Sequence, residues 1–348
     1  MTPAEAPSTD QPVIRITCPR DLVDLVPYLV GFWPTESLVL VSLRGSKRRV
    51  GLTLRIDLDG VRSGSEALDS CATHLARAGA RGVMVLIYRD QVSGTDAGKA
   101  GTARRALPDA RLADRVTRKV RMRGIEVDEA LLVTRDRWWS YLCDDRSCCP
   151  PEGHRIAPAD RPSPVVAAAT VAGLVAAPDR GSLERSVEPA AAADRAAVAA
   201  LVADAQARAD ARGGDDDRRY RAGVVDEVAA AVAGQRSGRT RLDDDGAARL
   251  LVALRDIGIR DHCCGYAAGD DSAAMQSLSM QLARRATAPY DVAPYTVLAW
   301  CAWRDGNGAL ARIAVERALR SDGGYALATL LEQALDCGID PAVWRDPR

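Results

Sequence analysis

The sequence predicts an α/β N-terminal domain with a mixed sheet, followed by an all-α C-terminal domain of helical hairpins that is tetratricopeptide-like at its end. Three observations predict it. Up to residue 150, short β-branched runs alternate with segments of helical periodicity, the pattern of a sheet covered by helices. From Pro150 the strand signals stop, and Pro150, Pro151, Pro158, Pro162 and Pro164 punctuate the chain. Beyond them lies one alanine-rich helical pattern after another. The implied organisation is a disordered tail over residues 1–11, an α/β domain over 12–150, a proline-rich linker with a short helix over 151–188, and a helical domain over 189–348.

Residues 13–17 alternate apolar and polar as a short strand does, and Pro19, Arg20 and Asp21 open a helix that Gly31 ends. Residues 37–43 are rich in β-branched side chains, 45–48 are turn-like and 50–58 alternate again, so the two runs read as a hairpin. A helix is expected over 66–78 and a buried strand over 82–88. A polar, glycine-rich loop over 91–101 precedes a basic amphipathic helix over 109–123 and strands near 126–134 and 137–141. Helices are then expected over 165–176, 190–211, 219–233, 246–257, 272–286, 292–303, 309–320 and 325–337, with Gly213, Gly214 and Asp215 to Asp217 forming a loop. The last three carry small residues at helical spacing, Ala311, Ala314 and Ala318 among them, as closely packed helical hairpins do.

Lysine plus arginine and aspartate plus glutamate each total 47, so no net field draws the chain to nucleic acid or an acidic membrane. The basic clusters at Arg44 to Arg49 and Arg118 to Arg123 lack interleaved aromatics, which argues further against nucleic acid. Nine cysteines in an uneven pattern fit a reducing compartment better than a disulfide framework. No signal-peptide pattern opens the chain, and the longest apolar stretch, 165–177, falls short of the roughly 20 residues a spanning helix needs. A cytoplasmic protein with no membrane attachment is the expectation. Walker, dinucleotide, nucleophile-elbow and zincin motifs are missing from the sequence, so no cofactor is implied except a possible zinc ion.

That zinc would belong to Cys143, Cys148, Cys149 and His154, soft thiolates and an imidazole within twelve residues. Adjacent cysteines diverge on most backbones, so one ion can use both only if the chain makes an unusual turn. The alternative is a pair of small buried residues on a proline-rich corner, with His154 solvated. Cys263 and Cys264 beside His262 invite a nucleophile reading, but neighbours on a helix point about 100° apart. Buried packing is the simpler account of both. Asp57, in an alternating strand, and Arg260 with Asp261 are polar groups inside apolar patterns and count as candidate functional residues. His74 carries no metal-ligand spacing.

The segments Cys18-Pro-Arg-Asp-Leu and Val26-Pro-Tyr-Leu-Val-Gly-Phe-Trp-Pro-Thr-Glu-Ser-Leu-Val resemble the opening of an actinobacterial family catalogued as domain of unknown function 4192. Later landmarks agree: Val50-Gly-Leu-Thr-Leu-Arg-Ile-Asp-Leu, Trp139-Ser-Tyr-Leu-Cys, Cys148-Cys-Pro-Pro-Glu-Gly and Asp340-Pro-Ala-Val-Trp. The resemblance implies a histidine after Phe32 where this chain carries Trp33, so no role of that position carries over. It implies domain boundaries and no activity. From the residues themselves the leading expectation is an interaction or regulatory module that meets a protein partner through the C-terminal helices. The alternative is an enzyme or metal-dependent sensor with a site between the two domains, using the cysteine corner with Asp57 or Arg260.

Overall fold

A computed structural model describes residues 16–62, 64, 66–91, 107–156, 163–211, 215–238 and 241–341. The chain divides into two compact units, Met1–Asp179 and Arg180–Arg348. In the first, helix α1 (Pro19–Val30) precedes the hairpin of β1 (Ser37–Arg44) and β2 (Arg49–Asp57). Short α2 (Leu58–Arg62), α3 (Glu66–Arg77), β3 (Ala80–Tyr88), α4 (Ala110–Arg121), β4 (Glu126–Val133), β5 (Arg137–Ser140), β6 (His154–Arg155) and α5 (Pro164–Val171) follow.

The sheet order is β2-β1-β3-β4-β5-β6. Strands β3 and β4 run parallel, joined by a crossover through α4, and the other pairings are antiparallel, so the sheet is mixed as expected. Its central strands are apolar on both sides because both faces are covered. Leu38, Leu40, Val85, Ile87, Leu132 and Trp139 meet α3 and α4, which contribute Leu68, Leu75, Leu112 and Val116 to the same core. Alternate residues point the other way. There Arg55 lies over the Phe32 ring, 5.6 Å from its centroid, and Tyr88 meets Trp33 edge to face at 6.2 Å. Leu25 of α1 packs with Val165 and Ala169 of α5, which ties α5 to this unit.

The second unit is largely helical, as expected: α6 (Arg180–Ser186), α7 (Ala192–Asp210), α8 (Asp215–Arg236), α9 (Asp244–Ala253), α10 (Ile257–Gly265), α11 (Ser272–Arg285), α12 (Val292–Arg304), α13 (Gly308–Ser321) and α14 (Ala326–Asp336). Short polar side chains start several of them. Asp243 accepts from Gly246 N at 2.7 Å, Asp256 from Gly258 N at 2.8 Å, and Asn307 from Leu310 N at 3.1 Å. Helix α12 is buried along almost its whole length, between α11 and α13, which explains an apolar composition without a polar face.

The structure departs from the sequence reading in several places, α2 and α10 among them, which have no counterpart in its helix ranges. A two-residue strand, β6, forms after Pro150, because the turn at Pro150 to Gly153 folds the chain back onto β5. Two residues are too few to show a period. Helix α5 stops at Val171 instead of near residue 176, since Gly173 takes a left-handed φ of 80°. Helix α8 begins at Asp215, so the run expected as a loop belongs to the helix. Helix α6 has no counterpart in the sequence reading; it is only seven residues long. The proposed tail at 1–11, most of the strand at 13–17, the loop at 91–101, Pro158, Pro162, and Gly213 with Gly214 lie outside the described residues, apart from Gln91. Ile16 and Thr17, the described end of that strand, are not paired in a sheet. Among the described residues no helix is long and apolar enough to cross a membrane.

Candidate metal centre

Where β5 leaves the sheet, the Ser140 hydroxyl accepts the backbone N–H groups of Leu142 and Cys143 at 3.0 and 3.2 Å and donates to Glu129 Oε1 at 2.9 Å. This fixes the first cysteine directly behind a buried residue. The chain then doubles back. Asp145 Oδ1 accepts from Ser147 N at 2.8 Å and from its hydroxyl at 2.7 Å, an Asx turn. The Asp145 carbonyl accepts from Cys148 N at 3.2 Å, from Cys149 N at 2.7 Å and from the Cys143 thiol at 4.0 Å. One backbone oxygen therefore gathers all three cysteines. This is the unusual turn that lets vicinal cysteines share a site.

The sulfurs of Cys143, Cys148 and Cys149 all lie within 4.8 Å of one another. A metal–sulfur bond of about 2.3 Å needs sulfurs about 3.8–4.0 Å apart, so closure around an ion asks for only small side-chain movements. Cys148 is exposed and the other two are half-buried. Burial, followed by hydrogen bonds with Cys143 and Cys148 and their charge, pushes the Cys149 thiol up to about 12. A metal must displace the Cys149 proton.

The far side of the corner is pinned to β5. Gly153 N donates to Pro150 O at 2.9 Å, Trp139 Nε1 donates to Pro151 O at 3.0 Å, and Arg137 Nη1 donates to Glu152 O at 2.7 Å. Gly153 has a φ of 76°. A Cβ there would lie 2.3 Å from Trp139 Cε2, so the chain needs glycine on both counts.

His154 does not join the sulfurs. It pairs with Trp138 in the sheet, and its ring stacks on the Trp138 indole with centroids 4.1 Å apart and planes 18° apart. Asp57, at the end of edge strand β2, is ion-paired with Arg55 at 2.5 Å. Arg260 and Asp261 pair with each other at 2.6 Å, and Arg260 also reaches the Tyr325 hydroxyl at 3.2 Å, with its guanidinium 5.6 Å from that ring's centroid. Burial pushes the Cys263 and Cys264 thiols up to about 12. They stay protonated near neutrality, and His262 turns instead to the edge of Tyr266. Neutral thiols are poor nucleophiles. His74 meets the Ser70 hydroxyl at 3.0 Å. In the basic clusters, Arg48 pairs with Glu126 and Asp128, and Lys119 with Asp69.

Sequence reasoning missed a charge network at the carboxyl end of β3. Arg89 reaches Glu36 at 3.1 Å and Asp109 at 2.8 Å, and Arg62 reaches Asp109 at 2.9 Å. Glu36 and Asp109 both adopt positive φ, 39° and 56°. No short-range pattern links these four, because four chain-distant segments supply them. The only local signal is Glu36 between Thr35 and Ser37 at the mouth of a strand.

A family model described as Domain of unknown function (DUF4192) matches residues 19–342. No curated protein and no solved structure matches the chain.

Proposed function

The chain belongs to the DUF4192 family, and from that premise we propose that it is a regulatory protein whose input is a thiophilic metal ion held by Cys143, Cys148 and Cys149. The observation that carries this reading is the convergence of three sulfurs within 4.8 Å on a turn fixed by hydrogen bonds at both ends. Thiolates favour soft ions, and the exposed Cys148 gives an ion a way in and out. Reversible occupancy suits regulation better than a closed structural site. The free state of all the cysteines supports a cytoplasmic setting, where thiols stay reduced.

The output in this reading is a protein partner met through the C-terminal helices, with α12 to α14 as a tetratricopeptide-like surface. Leu330 of α14, 60 % exposed, supports it. A catalytic reading through Asp57, Arg260 and Asp261 has less support, since each is engaged in an ion pair.

The test is metal uptake by protein purified and reduced without oxygen. We expect about one equivalent of ion per chain, lost in Cys148→Ser, with the melting temperature of the metal-free protein unchanged because Cys148 is exposed. Failure of the reduced wild type to bind either zinc or copper(I) above the background of isolated thiols would overturn the proposal.

A further inference from the structure

We infer that the ion is copper(I), held by Cys143, Cys148 and Cys149 in a three-coordinate, all-sulfur site. The inference rests on the metal-binding reading above and names its ligand class. Among the described residues, no further histidine, cysteine or carboxylate places a ligand atom within 4.8 Å of all three sulfurs. His154 is held in the sheet opposite Trp138 with its ring stacked on the indole, and although its Nε2 has no hydrogen-bond partner it is not within 4.8 Å of all three sulfurs. Asp145 Oδ1 holds Ser147, and Glu129 Oε1 accepts from Ser140 and from Ala130 N at 2.9 Å. Zinc in protein sites is almost always four-coordinate, so here it would need a water molecule to complete its shell. Copper(I) is softer, is matched to thiolate ligands, and is satisfied by three of them. Ligand number therefore favours copper(I) over zinc. The partial exposure of the corner adds exchange: an incoming thiol donor can reach the ion beside Cys148, pass it on and leave the protein fold untouched.

The full chain, reduced and free of oxygen, is titrated with copper(I) against the chromophoric chelator bathocuproine disulfonate and, separately, with zinc against a zinc-responsive dye. X-ray absorption of the loaded protein then counts the ligands. The expected result is one copper(I) per chain on three sulfurs at about 2.2–2.3 Å, not displaced by excess zinc. Cys148→Ser should weaken copper(I) by about 100-fold or more, beyond what loss of a residue behind a ligand costs. Cys337→Ser, which removes an exposed thiol outside the corner, should leave it unchanged. Zinc binding that outcompetes copper(I), with a fourth ligand in the absorption spectrum, overturns the copper assignment and leaves the metal-regulated reading standing. Binding of neither ion overturns both. Equal losses in Cys148→Ser and Cys337→Ser would mark the copper as held by scattered thiols and also overturn the assignment.

Discussion

Gly153 and Trp139 are in contact that admits no side chain between them: a Cβ on Gly153 would lie 2.3 Å from Trp139 Cε2, while the same indole donates to Pro151 O at 3.0 Å. The tryptophan ring is the floor on which the cysteine corner rests. Gly153→Ala therefore meets two penalties, roughly 1–2 kcal/mol for a left-handed backbone and roughly 1–3 kcal/mol for overpacking. We expect a destabilisation of about 3 kcal/mol in urea unfolding of the sheet-containing unit, together with weaker metal uptake. A variant that unfolds as the wild type does would show that the corner yields easily and is not held by Trp139.

Ser140 tests the other end of the corner. Its hydroxyl accepts two N–H groups and donates to Glu129, and the residue is 5 % exposed. Ser140→Ala removes the acceptor of the Leu142 and Cys143 N–H groups and should cost about 1–3 kcal/mol. It should also loosen Cys143 relative to Cys148 and Cys149. The check is a pair of measurements, urea unfolding and metal affinity. Unchanged affinity at reduced stability would separate the hydroxyl's structural part from the site.

Particular residues show why some of this was legible in the sequence and some was not. The run Ser37–Arg44 reads as a strand because it is a short, nearly continuous apolar run rich in leucine and valine, and it is buried at every position but the last. Cys143, Cys148 and Cys149 were legible as ligands by residue type. Their convergence was not, because it depends on where the Asp145 carbonyl points, and no side-chain pattern records a backbone turn of that kind. His154 was legible as an imidazole within reach along the chain. Its removal from the ligand set depends on β6 pairing with β5, which seats it on Trp138. Helices α7, α11, α12, α13 and α14 begin within about two residues of the sequence reading. Helix α8 begins four residues before the sequence reading places it, because residues 215–218 carry no hydrophobic spacing for periodicity to detect.

A buried arginine offers a prediction for the helical unit. The Arg285 side chain is 5 % exposed, pairs with Asp244 and donates to Leu242 O at 3.0 Å. Asp244→Ala strands that cation inside the unit. Because the Asp244 carboxylate is itself partly exposed, the cost should fall below that of a fully buried pair, at about 2 kcal/mol. Replacing both residues, Asp244→Ala with Arg285→Met, should recover part of it, since no unpaired charge remains. Thermal unfolding of the two variants distinguishes the cases; a double variant less stable than the single one would refute the charge argument.

The thiols of buried Cys263 and half-buried Cys264 set an alkaline limit on the same unit. Burial raises both from the ordinary 9.0 to about 12 in the folded chain. Below 9.0 the thiols are neutral in the folded and unfolded chains alike, and their contribution is fully present. As pH rises from about 9 towards 12, the unfolded chain loses these protons while the folded chain keeps them, so the unfolded state gains. Stability should fall across that window by at most about 1.4 kcal/mol per pH unit for each thiol. Metal-free Cys263→Ala should start slightly less stable at neutral pH, having lost buried sulfur, and should show a shallower decline above pH 9. Equilibrium unfolding in urea between neutral pH and the upper end of the window measures both slopes. Parallel slopes for wild type and variant would mean that Cys263 ionises as easily in the folded helical unit as outside it.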